Sequence, residues 1–194
     1  MKKSGIILVV GIVLLILFYL GLSYNSIMKK DEQVKLKWAE VQSTYQRRLD
    51  LIPNLVNVVK AVSEFEAGTL ADVIAAREKA QQGIIAAGDA SDASIQKQTE
   101  LQNNVAEAAN RVIAVIEQYP TLKGTDAYAA LQTQLEGTER RVKIARVDFN
   151  ESVAAYNVAV RSSTTGIAAK LFGFKPRSAF RADDGADKAI EIKF

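Results

Sequence analysis

The chain has 194 residues, a formal net charge of +3, and neither cysteine nor histidine. It therefore offers no thiol nucleophile, no disulfide, neither of the two commonest soft metal ligands and no imidazole base. Acids and bases are interspersed, so a charge this small argues against a nucleic-acid surface, and only 3 Pro and 11 Gly interrupt the chain, as in long helices.

The first element is the run GIILVVGIVLLILFYLGL at residues 5–22, without a charged side chain. As a helix it rises about 27 Å, near the thickness of a bilayer's hydrocarbon core. Lys2 and Lys3 precede it, and Tyr19 and Tyr24 sit where interfacial aromatics belong. A cleaved secretion signal has a shorter apolar region and a small-residue cleavage site, which Leu20-Gly21-Leu22-Ser23 supplies poorly. A retained transmembrane anchor over residues 1–23 is the expectation. Lys29, Lys30, Lys35 and Lys37 soon after it favour a cytoplasmic bundle by charge alone.

Apolar residues then recur at three- and four-residue steps. The first stripe is Ile27, Val34, Trp38, Val41, Tyr45, Leu49 and Ile52. The second is Leu55, Val58, Val62, Phe65, Thr69, Val73, Ala76 and Ala80. After a loop at residues 88–92 comes Ile95, Leu101, Val105, Ala108, Val112, Ile116 and Tyr119. The fourth is Tyr128, Leu131, Leu135, Val142, Ala145, Phe149, Val153, Tyr156 and Val160. Gly88, the caps from Asp89 to Asp92, Pro120 and Thr125 mark the borders. Pro53 sets the expected topology. A rod continuous from Tyr24 to residue 86 would reach about 95 Å with nothing later able to cover it. A reversal at residues 49–53 instead predicts an all-α, antiparallel up-down-up-down bundle over residues 24–166, with a kinked first rod as the alternative.

Several runs carry a family likeness. They are Tyr24-Asn25, Trp38, the run from Gln46 to Val56 (QRRLDLIPNLV), Glu66, Ala76-Arg77, Tyr119-Pro120, Leu122-Lys123 and Glu139. Ala145-Arg146, Phe149-Asn150, Tyr156-Asn157, Gly173-Phe174, Phe180 and the ending IEIKF continue it. In order and spacing the chain resembles the LemA family over nearly its whole length. It departs at Asp148-Phe149-Asn150, where relatives usually carry Tyr before Asn. The resemblance implies a bacterial membrane-anchored helical bundle without established enzymatic activity, and one branch takes part in forming magnetosome membranes. Some relatives carry a lipoprotein-type Cys near Leu22–Ser23, which puts their bundle outside the cytoplasm. This chain lacks it. The expectation taken from the family, against the lysine count, is a single-pass protein of the bacterial inner membrane with an extracytoplasmic bundle.

Catalytic constellations are weak. Two S-x-x-K strings, at Ser26–Lys29 and Ser94–Lys97, lack the companion motifs of Ser–Lys enzymes. Di-iron bundles need Glu-x-x-His, which is impossible here. Glu100, Glu107, Glu136 and Glu139 read as surface charges, with Glu107–Arg111, Glu136–Arg140 and Glu139–Lys143 in the acid-first order that supports a helix. No enzyme activity, cofactor or metal is expected.

Two sets of residues are candidate sites. Arg47, Arg48, Asp50, Pro53 and Asn54 form a partner-docking or purely structural corner, with the arginines on the last carbonyls of one helix and Asp50 capping the next. Leu171, Phe172, Phe174, Lys175 and Arg177 belong to an apolar C-terminal segment over residues 167–194, expected at the bilayer surface or against another copy. Its ending alternates Ile190, Ile192 and Phe194 with charge, as a short extended tail would. Tyr24-Asn25 and Tyr156-Asn157 are read as a core layer joining the first and last helices. The function expected is a non-catalytic, coiled-coil-like scaffold that forms homo-oligomers and organises lipid or a membrane protein partner. The alternative is an accessory subunit regulating one membrane enzyme or protease. Nucleic acid is not an expected partner.

Overall fold

A computed structural model of the chain describes residues 2–60, 67–86 and 90–180. Every regular element among them is helical: α1 (Lys2–Lys60), α2 (Ala67–Ala86), α3 (Asp92–Ile116), α4 (Pro120–Lys123), α5 (Asp126–Arg161) and α6 (Gly166–Leu171).

The break expected at residues 49–53 is absent: α1 runs unbroken through Pro53. Proline in a helix interior removes the hydrogen bond to the carbonyl four residues earlier, here Leu49. That carbonyl finds another donor, the Arg77 Nε of α2 at 3.0 Å. Leu55 and Val58 therefore belong to α1, whereas Val62 and Phe65, assigned to the same second stripe, lie outside the described residues.

Lengths decide the packing. Beyond Tyr24, α1 extends about 55 Å and α5 nearly the same, whereas α2 and α3 reach only about 30 and 37 Å. The α1–α5 pairs run in opposite senses, with Lys37 on Asp148 at 3.1 Å and Arg48 on Glu139 at 2.6 Å. The Gln46 and Gln81 carboxamides exchange hydrogen bonds of 2.9 and 3.0 Å, holding α2 against the upper part of α1.

Two cores result. The anchor-distal one gathers Leu49, Ile52, Leu55 and Val59 with Val73, Val105, Val112, Ile116 and Leu131 from the other helices. The anchor-proximal one joins Ile27, Val34, Trp38 and Val41 to Val142, Phe149, Val153, Tyr156 and Phe180. A polar layer separates them, with Arg48, Gln98, Gln102 and Thr138 all buried.

The caps follow local chemistry. Ser91 Oγ accepts from Ser94 N at the start of α3, and Thr125 Oγ1 accepts from Tyr128 N at the start of α5. Pro120, expected only to stop the preceding helix, also opens the one-turn α4, where its missing N–H costs nothing.

Candidate functional site

The anchor-proximal half is built mainly on α1 and α5, with Ile95 of α3 at its edge, and a strap at residues 172–180 closes it. Gly173, with φ of 77°, ends α6. Phe174 N–H donates to Ala169 O (2.9 Å) and Gly173 N–H to Lys170 O (3.4 Å), the pairing of a Schellman turn that needs a residue tolerating left-handed backbone.

Two asparagines of α5 then hold the strap. Asn157 Nδ2 donates to Arg177 O and its Oδ1 accepts from Arg177 N, both at 2.8 Å. Asn150 does the same for Phe180, at 3.1 and 2.9 Å. The asparagines are seven positions apart, about 10.5 Å along a helix, and residues 177 and 180 span about 10 Å in extended chain. Helix and strap are thus commensurate. A carboxamide both donates and accepts at such a site, whereas an ionised aspartate can only accept.

Side chains reinforce the clamp. Phe180 is 8 % exposed and enters the proximal core between Trp38 and Phe149, with ring centroids 6.1 and 5.3 Å away. The Arg146 guanidinium lies 4.6 Å from its centroid. Arg177 donates to buried Asp31 at 2.8 Å, and Lys35 reaches the same carboxylate at 3.1 Å. The Tyr156 hydroxyl donates to Lys175 O at 3.0 Å, and Ser178 N donates to Asp92 Oδ1 at 3.2 Å. Burial, and then the nearby Asp31 carboxylate, push the Tyr156 phenol above its ordinary value.

These positions redistribute the C-terminal candidates. Arg177, expected among lipid headgroups, is tied to Asp31 instead, because a buried carboxylate needs a cation more than solvent does. Phe174 is half-buried and packs with Phe172 on Tyr24, at centroid distances of 5.7 and 4.9 Å. Leu171, Phe172 and Lys175 are exposed. Tyr24 therefore meets strap aromatics while Asn25 is exposed, so the expected Tyr–Asn layer is not built. The ending with Ile190, Ile192 and Phe194 lies outside the described residues.

The Arg47–Asn54 candidates do not form a corner, because no helix end exists there. Arg48 alone turns inward. Its Nη1 lies 3.2 Å from both Gln102 O and Gln102 Oε1, and its Nη2 donates to Glu139 at 2.6 Å, so one guanidinium spans α1, α3 and α5. Arg47, Pro53 and Asn54 are exposed. Asp50 is also exposed and accepts from Gln46 one turn back at 2.8 Å rather than capping a helix. Glu139 serves Arg48 in place of Lys143, and Glu136 accepts from Gln132, whereas Glu107 pairs with Arg111 at 3.0 Å as its spacing predicts. Beside Arg48, burial pushes the Tyr45 phenol up against the opposing pull of Arg146 and Arg48.

Among the described residues no group of three or more acidic side chains converges as a metal site. Nor does an activated nucleophile–base pair appear: Ser26 and Lys29 are both exposed, and Ser91 Oγ donates to Ser94 Oγ at 2.9 Å. What the arrangement does is mechanical. It locks a C-terminal strap to the base of a rod, beside that rod's apolar N-terminal run. The aromatic–Asn repeat at Phe149-Asn150 and Tyr156-Asn157 was the sequence signal for it, readable as two similar pairs one heptad apart.

Comparison with known proteins finds relatives among magnetosome proteins. The chain is 28% identical over 188 residues to magnetosome protein MamQ of Magnetospirillum gryphiswaldense, covering 86% of this chain and 68% of that protein. It is 24% identical over 187 residues to MamQ 2 of Paramagnetospirillum magneticum, with the same coverage. The LemA family pattern matches residues 37–194, which take in the Arg48 layer, both strap asparagines and Phe180. The chain belongs to the LemA family.

Proposed function

We propose that this protein is a membrane-anchored, non-catalytic helical scaffold that self-associates and organises membrane or protein partners. The observation that carries the reading is the continuity of α1. The segment long and apolar enough to cross a membrane and the rod that nucleates both cores are one helix, with no linker between them. Ile6, Leu8, Leu14 and Phe18 along its first turns are exposed, as side chains meeting lipid would be. A bundle joined this way holds a fixed height above the bilayer, which suits a spacer or scaffold. The helices alternate in direction in this reading, so that the strap returns to the anchor's end. A second apolar stripe on α5, Ile144, Val147 and Val158, lies opposite its core face and is exposed, which supports pairing between copies. The bundle belongs on the extracytoplasmic side of the bacterial cell membrane in this reading.

Mass photometry of the detergent-extracted chain, with identification of co-purifying proteins, tests self-association. Oligomers built of this chain alone are expected. A monomer in stoichiometric complex with one other membrane protein would replace the scaffold with an accessory subunit. Orientation is checked with single cysteines at Ser4 and, separately, Lys97 in intact cells. Reaction of position 97 with an impermeant maleimide is expected, and reaction confined to position 4 would invert the placement.

A further inference from the structure

The base of the bundle is apolar, basic and level with the interfacial end of the anchor. The Tyr19 hydroxyl donates to the Thr164 carbonyl just before α6, and the Tyr24 ring meets Phe172 just after it. These contacts stand α6 alongside residues 19–24 of α1, about 7.5 Å of helix at the point where the rod leaves its apolar run. Gly166, Ala168 and Ala169 are buried, so Ile167, Lys170 and Leu171 face outward. Ile167 and Leu171, one turn apart, are 68% and 66% exposed. In water this would be a costly way to end a bundle.

Beside this face lies a cleft of about 470 Å³, lined by Arg161, Ser163, Ile167, Lys170, Phe174 and Pro176 among others. No acidic side chain lines it. Among the described residues no ion pair joins Arg161 or Lys170 to a carboxylate. Lys175, exposed on the strap, adds a third cation nearby. Two unpaired cations and a hydroxyl above an apolar wall, opening beside a membrane-spanning helix, match one ligand chemistry. The phosphate of a phospholipid meets the cations while its acyl chains lie along the apolar side chains.

We infer that the cleft between Arg161 and Lys170 binds the headgroup of an anionic phospholipid, with Ile167, Leu171 and Phe172 seated among the acyl chains of the same leaflet. The inference rests on the anchoring part of the proposed function and is independent of self-association. It assigns α6 as an interfacial foot, a second membrane contact that fixes the rotation of the rod about its axis as well as its height.

The experiment uses the full chain, whose lack of cysteine permits single nitroxide labels at Leu14→Cys in the anchor and Leu171→Cys in the foot. Both variants are reconstituted into vesicles of phosphatidylcholine with phosphatidylglycerol. Both labels are expected to be accessible to oxygen and protected from a water-soluble nickel chelate. With spin-labelled lipids, phosphatidylglycerol is expected to be preferred over phosphatidylcholine at the protein surface. That preference should fall by about fivefold per cation removed in an Arg161→Gln, Lys170→Gln variant of unchanged helicity. A Leu171 label open to the nickel chelate while Leu14 is protected would overturn the foot and leave the anchor standing. Both labels open would overturn both. Lipid preference unaltered in the double variant, or abolished by inorganic phosphate, would overturn the headgroup site. Spin–spin broadening at position 171 that vanishes on dilution with unlabelled chain would put a second copy on this face, and would equally overturn it.

Discussion

The two halves of the bundle close the same pair of long helices by different means. In the distal half, α2 and α3 complete a conventional four-helix core around Leu55, Val105, Val112 and Ile116, and apolar burial is distributed over many side chains. In the proximal half α1 and α5 are covered by a strap of nine residues, where one buried ring and two carboxamides do what two helices do above. The difference teaches where each half is vulnerable. A distributed core loses little from any one contact, whereas a strap depends on a few points of attachment that act together.

The sharpest way to break the proximal half is Phe180→Ala. Removing a buried aromatic costs about 3–5 kcal/mol, and here it also releases the segment that Asn150 holds. Hydrogen exchange should rise at residues 27–45 and 149–160 while residues 49–59 stay protected. Uniform exchange over both halves would show that they unfold as one.

Asn157→Ala comes next, at about 1–2 kcal/mol, the cost of leaving the part-buried Arg177 backbone groups without their partner. Asn157→Asp should be as damaging, because a carboxylate cannot donate to Arg177 O. If aspartate restored the melting temperature, the two-way pairing would be wrong.

The distal half is tested at Pro53. Arg77→Met strands the Leu49 carbonyl that Arg77 now satisfies, and should cost about 1–2 kcal/mol. Pro53→Ala supplies a backbone N–H to that carbonyl, so the same Arg77 change should cost about 1 kcal/mol less in that background. Additive effects in chemical denaturation would separate Arg77 from the proline.

The smallest effect should come from Glu107→Lys, which breaks an exposed pair with Arg111 worth about 0.2–0.5 kcal/mol. A melting-temperature loss comparable to that of Phe180→Ala would mean that this face of α3 is not free surface.

Much of this was legible beforehand. The apolar run at residues 5–22 has the length of a membrane span, and the three- and four-residue spacing marked the buried faces of α3 and α5, from Ile95 to Ile116 and from Tyr128 to Val160, because helical period and burial are coupled through local geometry. Capping at Thr125 was equally local. The turn at Pro53 was misplaced because a proline's effect on a helix depends on whether a distant donor takes up its orphaned carbonyl. Arg77 lies twenty-four positions further on, and nothing in the local run announces it.

What the sequence by itself determined, then, is the helical class, the apolar anchor and the inward faces of the helices, all set by residues a turn or two apart. Only the tertiary structure decided that α1 continues to Lys60, that Arg48 points into a buried polar layer, and that Arg177 serves Asp31. It also decided that Asn157 holds a strap rather than a helix layer, with Asn150 holding the same strap one heptad earlier. Each of those joins partners tens of residues apart, and the physical reason is the same in every case. A buried charge, carbonyl or carboxamide takes whichever complementary group the packed chain brings within hydrogen-bonding reach, and that proximity is a property of the fold, not of any local stretch of sequence.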